Sequence, residues 1–214
     1  MELYTFFRSS ASYRLRIALA LKGLEYRSHF VSLPKMEHRD AAYLKINPQG
    51  LVPALVDDQG RAFIQSMATI EYLDETHPEP PLLPKDPVAR WYVRAVSQII
   101  GCDIHPLNNV RVLKFLKGPF GIDAARVDRE WYGHWIAEGF RDLEGFLTQQ
   151  GRHGRFCLGD QPTMADVCLV PQVFNAERFN CDISGFPLVR RLYAACLELP
   201  AVQAAHPARQ GDAF

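Results

Sequence analysis

The residues best suited to chemistry lie near the start of the chain, in Phe7-Arg8-Ser9-Ser10-Ala11-Ser12-Tyr13-Arg14-Leu15-Arg16-Ile17-Ala18-Leu19. Before the serines runs Leu3-Tyr4-Thr5-Phe6-Phe7, short, aromatic and apolar, which reads as a buried strand. After them Leu15, Ala18, Leu19 and Leu21 supply a buried helical face, and Lys22-Gly23 supplies a stop. The serines therefore fall where a strand ends and a helix begins. A helix N-terminus carries unpaired N–H groups and a partial positive charge. A hydroxyl placed there can cap the helix or help hold an anion, and this stretch alone leaves both roles open.

The elements that must position these serines follow from the pattern of residues 1–77. A second strand is expected from Tyr26 to Leu33 and a short helix from Ala41 to Lys45, ending before Asn47-Pro48. Val52 to Val56 forms a third strand, Asp57-Asp58-Gln59-Gly60 a turn, and Ala62-Phe63-Ile64 the returning strand. Ser66 opens a helix running to about Thr76. The order βαβαββα predicts a small four-stranded mixed sheet with helices. His77 to Pro87 holds five prolines in eleven residues, so residues 78–87 read as a linker. From Val88 the pattern is helical. Helices are expected over about 88–116, with a break near His105-Pro106, over about 124–150, from near Thr163, and over about 187–198. Thr163-Met164-Ala165-Asp166, ahead of an apolar run, has the spacing of a capping box. Gln210 to Phe214 reads as a loose tail.

Composition narrows the function classes. Of 214 residues 48% are hydrophobic, enough for a sizeable core in one large or two small domains. The 24 basic residues balance 24 acidic ones, which argues against nucleic acid or an anionic membrane as partner. No apolar run reaches the length of a spanning helix, and Glu2 and Arg8 interrupt any signal-peptide core. The cysteines, Cys102, Cys157, Cys168, Cys181 and Cys196, are odd in number and lack C-x-x-C spacing. Reduced, mostly buried thiols in a cytoplasmic protein are expected, with no metal site.

Several motifs together resemble one family. They are Ser9-Ser10-x-Ser12-Tyr13-Arg14-x-Arg16-Ile17-Ala18-Leu19, Val52-Pro53, Gln65-Ser66, Thr163-Met164-Ala165-Asp166, Leu169-Val170-Pro171-Gln172-Val173 and Asn175-Ala176-Glu177-Arg178-Phe179. The set is similar to the zeta class of cytosolic glutathione transferases, which includes maleylacetoacetate isomerase and the maleylpyruvate isomerases. The resemblance covers nearly the whole chain. It implies a thioredoxin-like, glutathione-binding domain over 1–77, a linker over 78–87, and an all-helical domain over 88–214 that contributes the substrate pocket. It also implies glutathione as cofactor and a homodimer.

The family's roles carry over by position. Ser9 is expected to face the glutathione sulfur and Ser10 to assist it, since a hydroxyl that donates to a thiolate lowers the thiol pKa. Ala11, next in the first turn, stands where the family often has cysteine, so no protein thiol is available there. Val52 is expected to pair its backbone with the cysteinyl part of the peptide, with Pro53 cis. Gln65 and Ser66 should hold the γ-glutamyl carboxylate at a helix start. His105 and Asn109 are further glutathione contacts, on one helical face if the helix continues past Pro106, and His38 lies near the covering loop. Arginines suit a diketo dicarboxylate because their planar fork donates two hydrogen bonds to a carboxylate. Arg178 is the strongest match, joined by Arg8 and Arg111. The implied reaction is cis–trans isomerisation by thiolate addition, bond rotation and elimination. Alternatives that use the same residues are conjugation or dehalogenation of small α-halo acids, and a non-catalytic glutathione-transferase-like binding protein.

Overall fold

The computed structural model describes residues 1–214. Four strands form one sheet in the order β2-β1-β3-β4: β1 is Glu2–Thr5, β2 Arg27–Phe30, β3 Ala54–Val56 and β4 Ala62–Ile64. β1 is central. It pairs parallel with β2 (Glu2 opposite Arg27) and antiparallel with β3 (Tyr4 opposite Ala54). The β3–β4 hairpin turns at Asp57, whose Oδ1 accepts the Gln59 and Arg61 N–H groups at 3.0 and 2.9 Å. β2 is shorter than its sequence pattern suggests. As an edge strand with mixed exposure it lacks the two-sided burial that would extend it.

The helices of this part are α1 (Ser10–Leu21), α2 (Ala41–Leu44) and α3 (Ser66–Thr76). α1 follows directly on the β1 turn and contacts both α3 and α10 (Pro200–Ala205). Those contacts explain why α1 has no exposed face: Leu15, Ile17, Ala18 and Leu19 are all fully buried, and so are the polar Ser12 and Arg16. Each buried Leu or Ile side chain contributes roughly 1.5–3 kcal/mol. The proline-rich segment is anchored rather than loose. Lys22 Nζ, itself buried, donates to Asp74 Oδ1 at 2.8 Å and to the carbonyls of His77 and Pro80 at 2.7 and 3.0 Å.

The remaining helices are α4 (Pro87–Gln98), α5 (Val110–Lys117), α6 (Ala124–Arg126), α7 (Tyr132–Gln150), α8 (Met164–Arg178) and α9 (Pro187–Leu197). The expected long helix over 88–116 is interrupted. α4 widens into a π-helical stretch over Ile99–Ile104, the chain turns at His105-Pro106, and α5 starts afresh after Asn109. α8 is buried on nearly every face, and Asp166 fixes its start. Asp166 Oδ2 accepts the Thr163 N–H at 2.8 Å and the Thr163 hydroxyl at 3.0 Å, while Oδ1 accepts the Cys157 N–H at 2.8 Å. The capping spacing seen in the sequence thus ties a distant loop as well as a helix end.

The chain divides into two compact units, one of Met1–Leu82 with Glu198–Phe214, the other of Leu83–Leu197. This differs from a helical domain running from 88 to 214. The last residues fold onto the first unit because Arg16, fully buried, donates Nε to the Ala205 carbonyl at 3.1 Å, and Asp212 accepts the Phe7 N–H at 3.0 Å. The tail expected to be loose is an ordered part of that unit. No helix is long and apolar enough to cross a membrane.

Candidate active site

In the first unit the chemistry-bearing residues meet at the C-terminal end of β1 and the N-terminus of α1. Ser9 is the N-cap of α1: its Oγ accepts the Ser12 N–H at 3.2 Å. Its N–H is bound to the Phe6 carbonyl at 3.1 Å. As an acceptor in the cap, the Ser9 hydroxyl keeps its own proton for donation. Ser10 is buried at the first helical position, and Ala11 beside it is half-buried. Ser12 is wholly buried, its Oγ turned back towards the Phe6 N–H at 3.4 Å, so it belongs to the scaffold. Arg16 supports the same turn from below, donating Nη2 to the Phe7 carbonyl at 2.9 Å and Nη1 to Thr5 Oγ1 at 3.2 Å. Burial lowers its pKa to about 10, still far above neutrality, so the guanidinium stays charged beneath the turn. Arg8 lies against two aromatic rings, its Cζ 4.7 Å from the centroids of both Phe7 and Phe214.

Val52 is set by the segment before it. The Leu51 carbonyl accepts the Tyr43 hydroxyl at 2.5 Å and Asn47 Nδ2 at 2.7 Å. Burial pushes the Tyr43 phenol up to about 12, so it remains a donor. The Val52–Pro53 peptide is cis, as the resemblance implies, and the sheet register begins only at Ala54. Val52 therefore presents its backbone outside the ladder. Gly50, at φ +59°, brings the chain so close to the His38 carbonyl that a Cβ there would lie 2.8 Å from it. That packs the half-buried His38 turn beside the approach to Val52.

Gln65 holds φ 68° and ψ 99°, a backbone conformation that raises the energy of a non-glycine residue by roughly 1–3 kcal/mol. Its side chain gives α3 no cap; Nε2 donates instead to Gln49 Oε1 at 2.9 Å. The first-turn N–H groups of α3, starting at buried Ser66, are thus left uncapped by Gln65.

In the second unit the arrangement differs from the expectation at one point. His105 closes the π-helical stretch, its N–H on the Ile100 carbonyl at 2.9 Å. Asn109 does not continue that helix. It is the N-cap of α5, with Oδ1 accepting the Arg111 N–H at 3.1 Å, because Pro106 ends the preceding helix. Arg111 is exposed on the first turn of α5. Arg178 ends α8, where a cation suits the helix dipole. Asn175 Oδ1 accepts its Nε at 3.2 Å, and its Cζ lies 4.6 Å from the Phe179 ring. Phe179 stacks on Tyr132 with centroids 3.8 Å apart, and burial raises the Tyr132 phenol pKa. A cleft of about 300 Å³ in this unit is walled by Leu116, Ile122, Trp131 and Trp135, and none of the anticipated residues lines it.

Two contributors were not assigned from the sequence. Asn175 lies in the Asn175-Ala176-Glu177-Arg178-Phe179 motif, and its i, i+3 spacing to Arg178 is the signal for the contact. Asp212 had no local signal.

Residues 8–76 match the glutathione S-transferase N-terminal domain and residues 129–207 the C-terminal domain. Maleylacetoacetate isomerase of Pseudomonas aeruginosa PAO1 is 49% identical over 99% of this chain and 98% of its own. Maleylpyruvate isomerase of a Ralstonia species is 50% identical over 99% of both. A holo structure of maleylpyruvate isomerase, a bacterial zeta-class enzyme, superposes with a TM-score of 0.96 at 49% identity and full coverage of both chains. Maleylacetoacetate isomerase of Methylobacterium extorquens AM1, solved with bound malonate and GSH, gives 0.96 at 39% identity, again over both full chains. With half its residues shared end to end and both halves of the fold matched, the chain belongs to the zeta class of glutathione transferases, the family of the maleylacetoacetate and maleylpyruvate isomerases.

Proposed function

We propose that this protein is a glutathione-dependent cis–trans isomerase of a short unsaturated diketo dicarboxylic acid, maleylacetoacetate or maleylpyruvate, working as a cytoplasmic homodimer. The observation that carries the reading is Ser9, an N-cap hydroxyl with its proton still to donate, at a positively polarised helix start. The first unit fits the tripeptide in three places. Val52 offers a backbone edge ahead of the ladder, the uncapped N-terminus of α3 at Gln65 and Ser66 suits the γ-glutamyl carboxylate, and Ser9 faces the cysteinyl sulfur. Ser10 and Ala11 line the same helix start, and His38 packs beside the approach to Val52.

When bound, glutathione supplies a thiolate that adds reversibly to the cis double bond and permits rotation about it. The chain's own residues prepare this chemistry. Ser9 donates a hydrogen bond at the sulfur and lowers its pKa, helped by the dipole of α1. Arg178, oriented by Asn175 and Phe179, takes a substrate carboxylate, and Arg8 and Arg111 are the further cationic contacts. His105 and Asn109 are assigned to the glutathione side, Asn109 from its helix-capping position rather than from the face of a continuous helix.

The test is to follow the loss of the cis enol-diketone absorbance of each substrate with and without glutathione. Turnover is expected only with glutathione present, and no turnover of either acid overturns the reading. Identities of 49% and 50% to the two kinds of isomerase make the substrate choice an outcome of that assay. Sedimentation of the pure protein tests the dimer.

A further inference from the structure

We propose that Asp212 is a positioning residue for the Ser9 turn, and that the last residues of the chain clamp that turn in its working geometry. The catalytic consequence rests on the glutathione reading above; the clamp itself does not.

Asp212 Oδ2 accepts the N–H of Phe7 at 3.0 Å, two residues before Ser9 and 205 positions away in sequence. On the other side of the same residue, the Phe7 carbonyl accepts Arg16 Nη2 at 2.9 Å. Both backbone polar groups of Phe7 are therefore held by side chains. Ser9 is hung from this arrangement by its N–H on the Phe6 carbonyl at 3.1 Å. Arg16 ties the turn back to the same C-terminal segment through its Nε on the Ala205 carbonyl at 3.1 Å. One residue beyond Phe7, the Arg8 guanidinium lies against both Phe7 and the terminal Phe214, and those two rings meet edge to face at 5.0 Å. The approach depends on Gly211, where a Cβ would stand 2.9 Å from the Phe30 ring.

These contacts go beyond anchoring a chain end. Phe7, Arg8 and Ser9 are consecutive, and Ser9 is the hydroxyl that must meet the sulfur. A displacement of about 1 Å at a reacting group lowers the rate by up to ~10²-fold. The second Asp212 oxygen, Oδ1, is buried and makes no hydrogen bond. At longer range, and less than Tyr26 and Tyr13, the carboxylate's charge favours the buried Arg16 guanidinium, which holds the turn from below. Asp212 thus supplies an acceptor for Phe7 and, more weakly and at longer range, a negative charge for Arg16. An asparagine there would keep the first.

The test uses the full-length protein with Asp212→Ala, Asp212→Leu and Asp212→Asn. Leucine has a similar branched shape without an acceptor, and serves if the alanine variant does not fold. Amide hydrogen exchange is read over Phe7–Ser12 without glutathione, and kcat, the KM for glutathione and the pH profile of bound thiolate are read with it. Faster exchange in the alanine and leucine variants and near-wild-type exchange in asparagine are expected. With them come a kcat about tenfold lower, a KM for glutathione within about twofold, and a thiolate profile moved to higher pH. Unchanged exchange in the alanine and leucine variants overturns the proposal. So does an equal fall of kcat, KM and melting temperature in all three variants, the mark of a merely structural residue. If the wild-type protein turns over neither acid, the function proposed above falls, while the exchange measurement still decides the clamp.

Discussion

Ser9 has two duties that a single substitution separates. As N-cap it satisfies the Ser12 N–H, and its loss costs about 1 kcal/mol of stability. As donor to a thiolate, a hydrogen bond to a charged group contributes roughly 1.5–3 kcal/mol, equivalent to about one to two in pKa. Ser9→Ala is therefore expected to raise the pKa of bound glutathione by about one to two, read from thiolate absorbance against pH. The melting temperature should fall only by the few degrees that a lost cap implies. A variant that melts lower but titrates as wild type would leave Ser9 with the cap alone. Arg178 makes a complementary case. Its Nε is held by Asn175 and its Cζ lies near the Phe179 ring, which fixes the orientation of a guanidinium suited to a carboxylate. Arg178→Ala is expected to raise the KM for the diketo acid about 10- to 100-fold while the KM for glutathione stays put. Equal changes in both constants would remove Arg178 from the substrate side.

Elements decide whether such residues reach their places, and two of them carry their own tests. Gly139 in α7 lies against Ile104, the residue before His105, and a Cβ there would fall 2.3 Å from Ile104 Cγ1. That atom is near the backbone of a branched side chain and cannot swing away. Gly139→Ala is expected to destabilise the protein by ~1–3 kcal/mol in urea denaturation. It should also shift the His105 imidazole resonances, because the π-helical stretch must move as a body. The C-terminal segment carries a pH response. His206 accepts the Ala208 N–H with Nδ1 at 3.2 Å. Partial burial, then Arg209 and Arg16, lower its pKa below the ordinary 6.5. The folded state thus binds this proton less readily than the unfolded chain. The contribution to stability is complete above pH 6.5 and is lost as pH falls from there through the lower folded value. His206→Gln is expected to flatten the fall in melting temperature below pH 6.5, and an unchanged slope would rule His206 out as its source.

Elements were also where the sequence was most and least readable. The β3–β4 hairpin and α3 were legible to within a residue or two, since Asp57 to Gly60 and the Ser66 start are local signals. The break at His105-Pro106 was legible for the same reason. A shared helical face for His105 and Asn109 depended on a helix running past Pro106, and the proline ends that helix. The ordered tail was not legible at all. Its anchors, Phe7 to Asp212 and Arg16 to Ala205, join residues 205 and 189 positions apart, and no local pattern encodes such a pairing.

At the scale of the whole molecule, that tail makes the first unit discontinuous: the chain leaves it at Leu82 and returns at Glu198. Its stability therefore depends on residues at both ends of the sequence. Arg16 shows why. The guanidinium is fully buried, and one of its acceptors, the Ala205 carbonyl, belongs to the returning segment. Leaving one donor of a buried charged group without its acceptor costs about 1–3 kcal/mol, a noticeable share of a typical domain's stability. α1 would in addition lose α10 from its apolar surface and expose residues such as Tyr13, whose hydroxyl donates to the Val202 carbonyl at 3.4 Å. A chain ending at Leu197 removes only residues that follow the second unit in sequence, yet its damage is expected in the first. Amide exchange should show protection lost from β1 and α1 while α7 and α8 keep theirs. If α7 and α8 lose protection first, or the truncated chain keeps β1 as stable as wild type, the tail is not a structural part of the first unit.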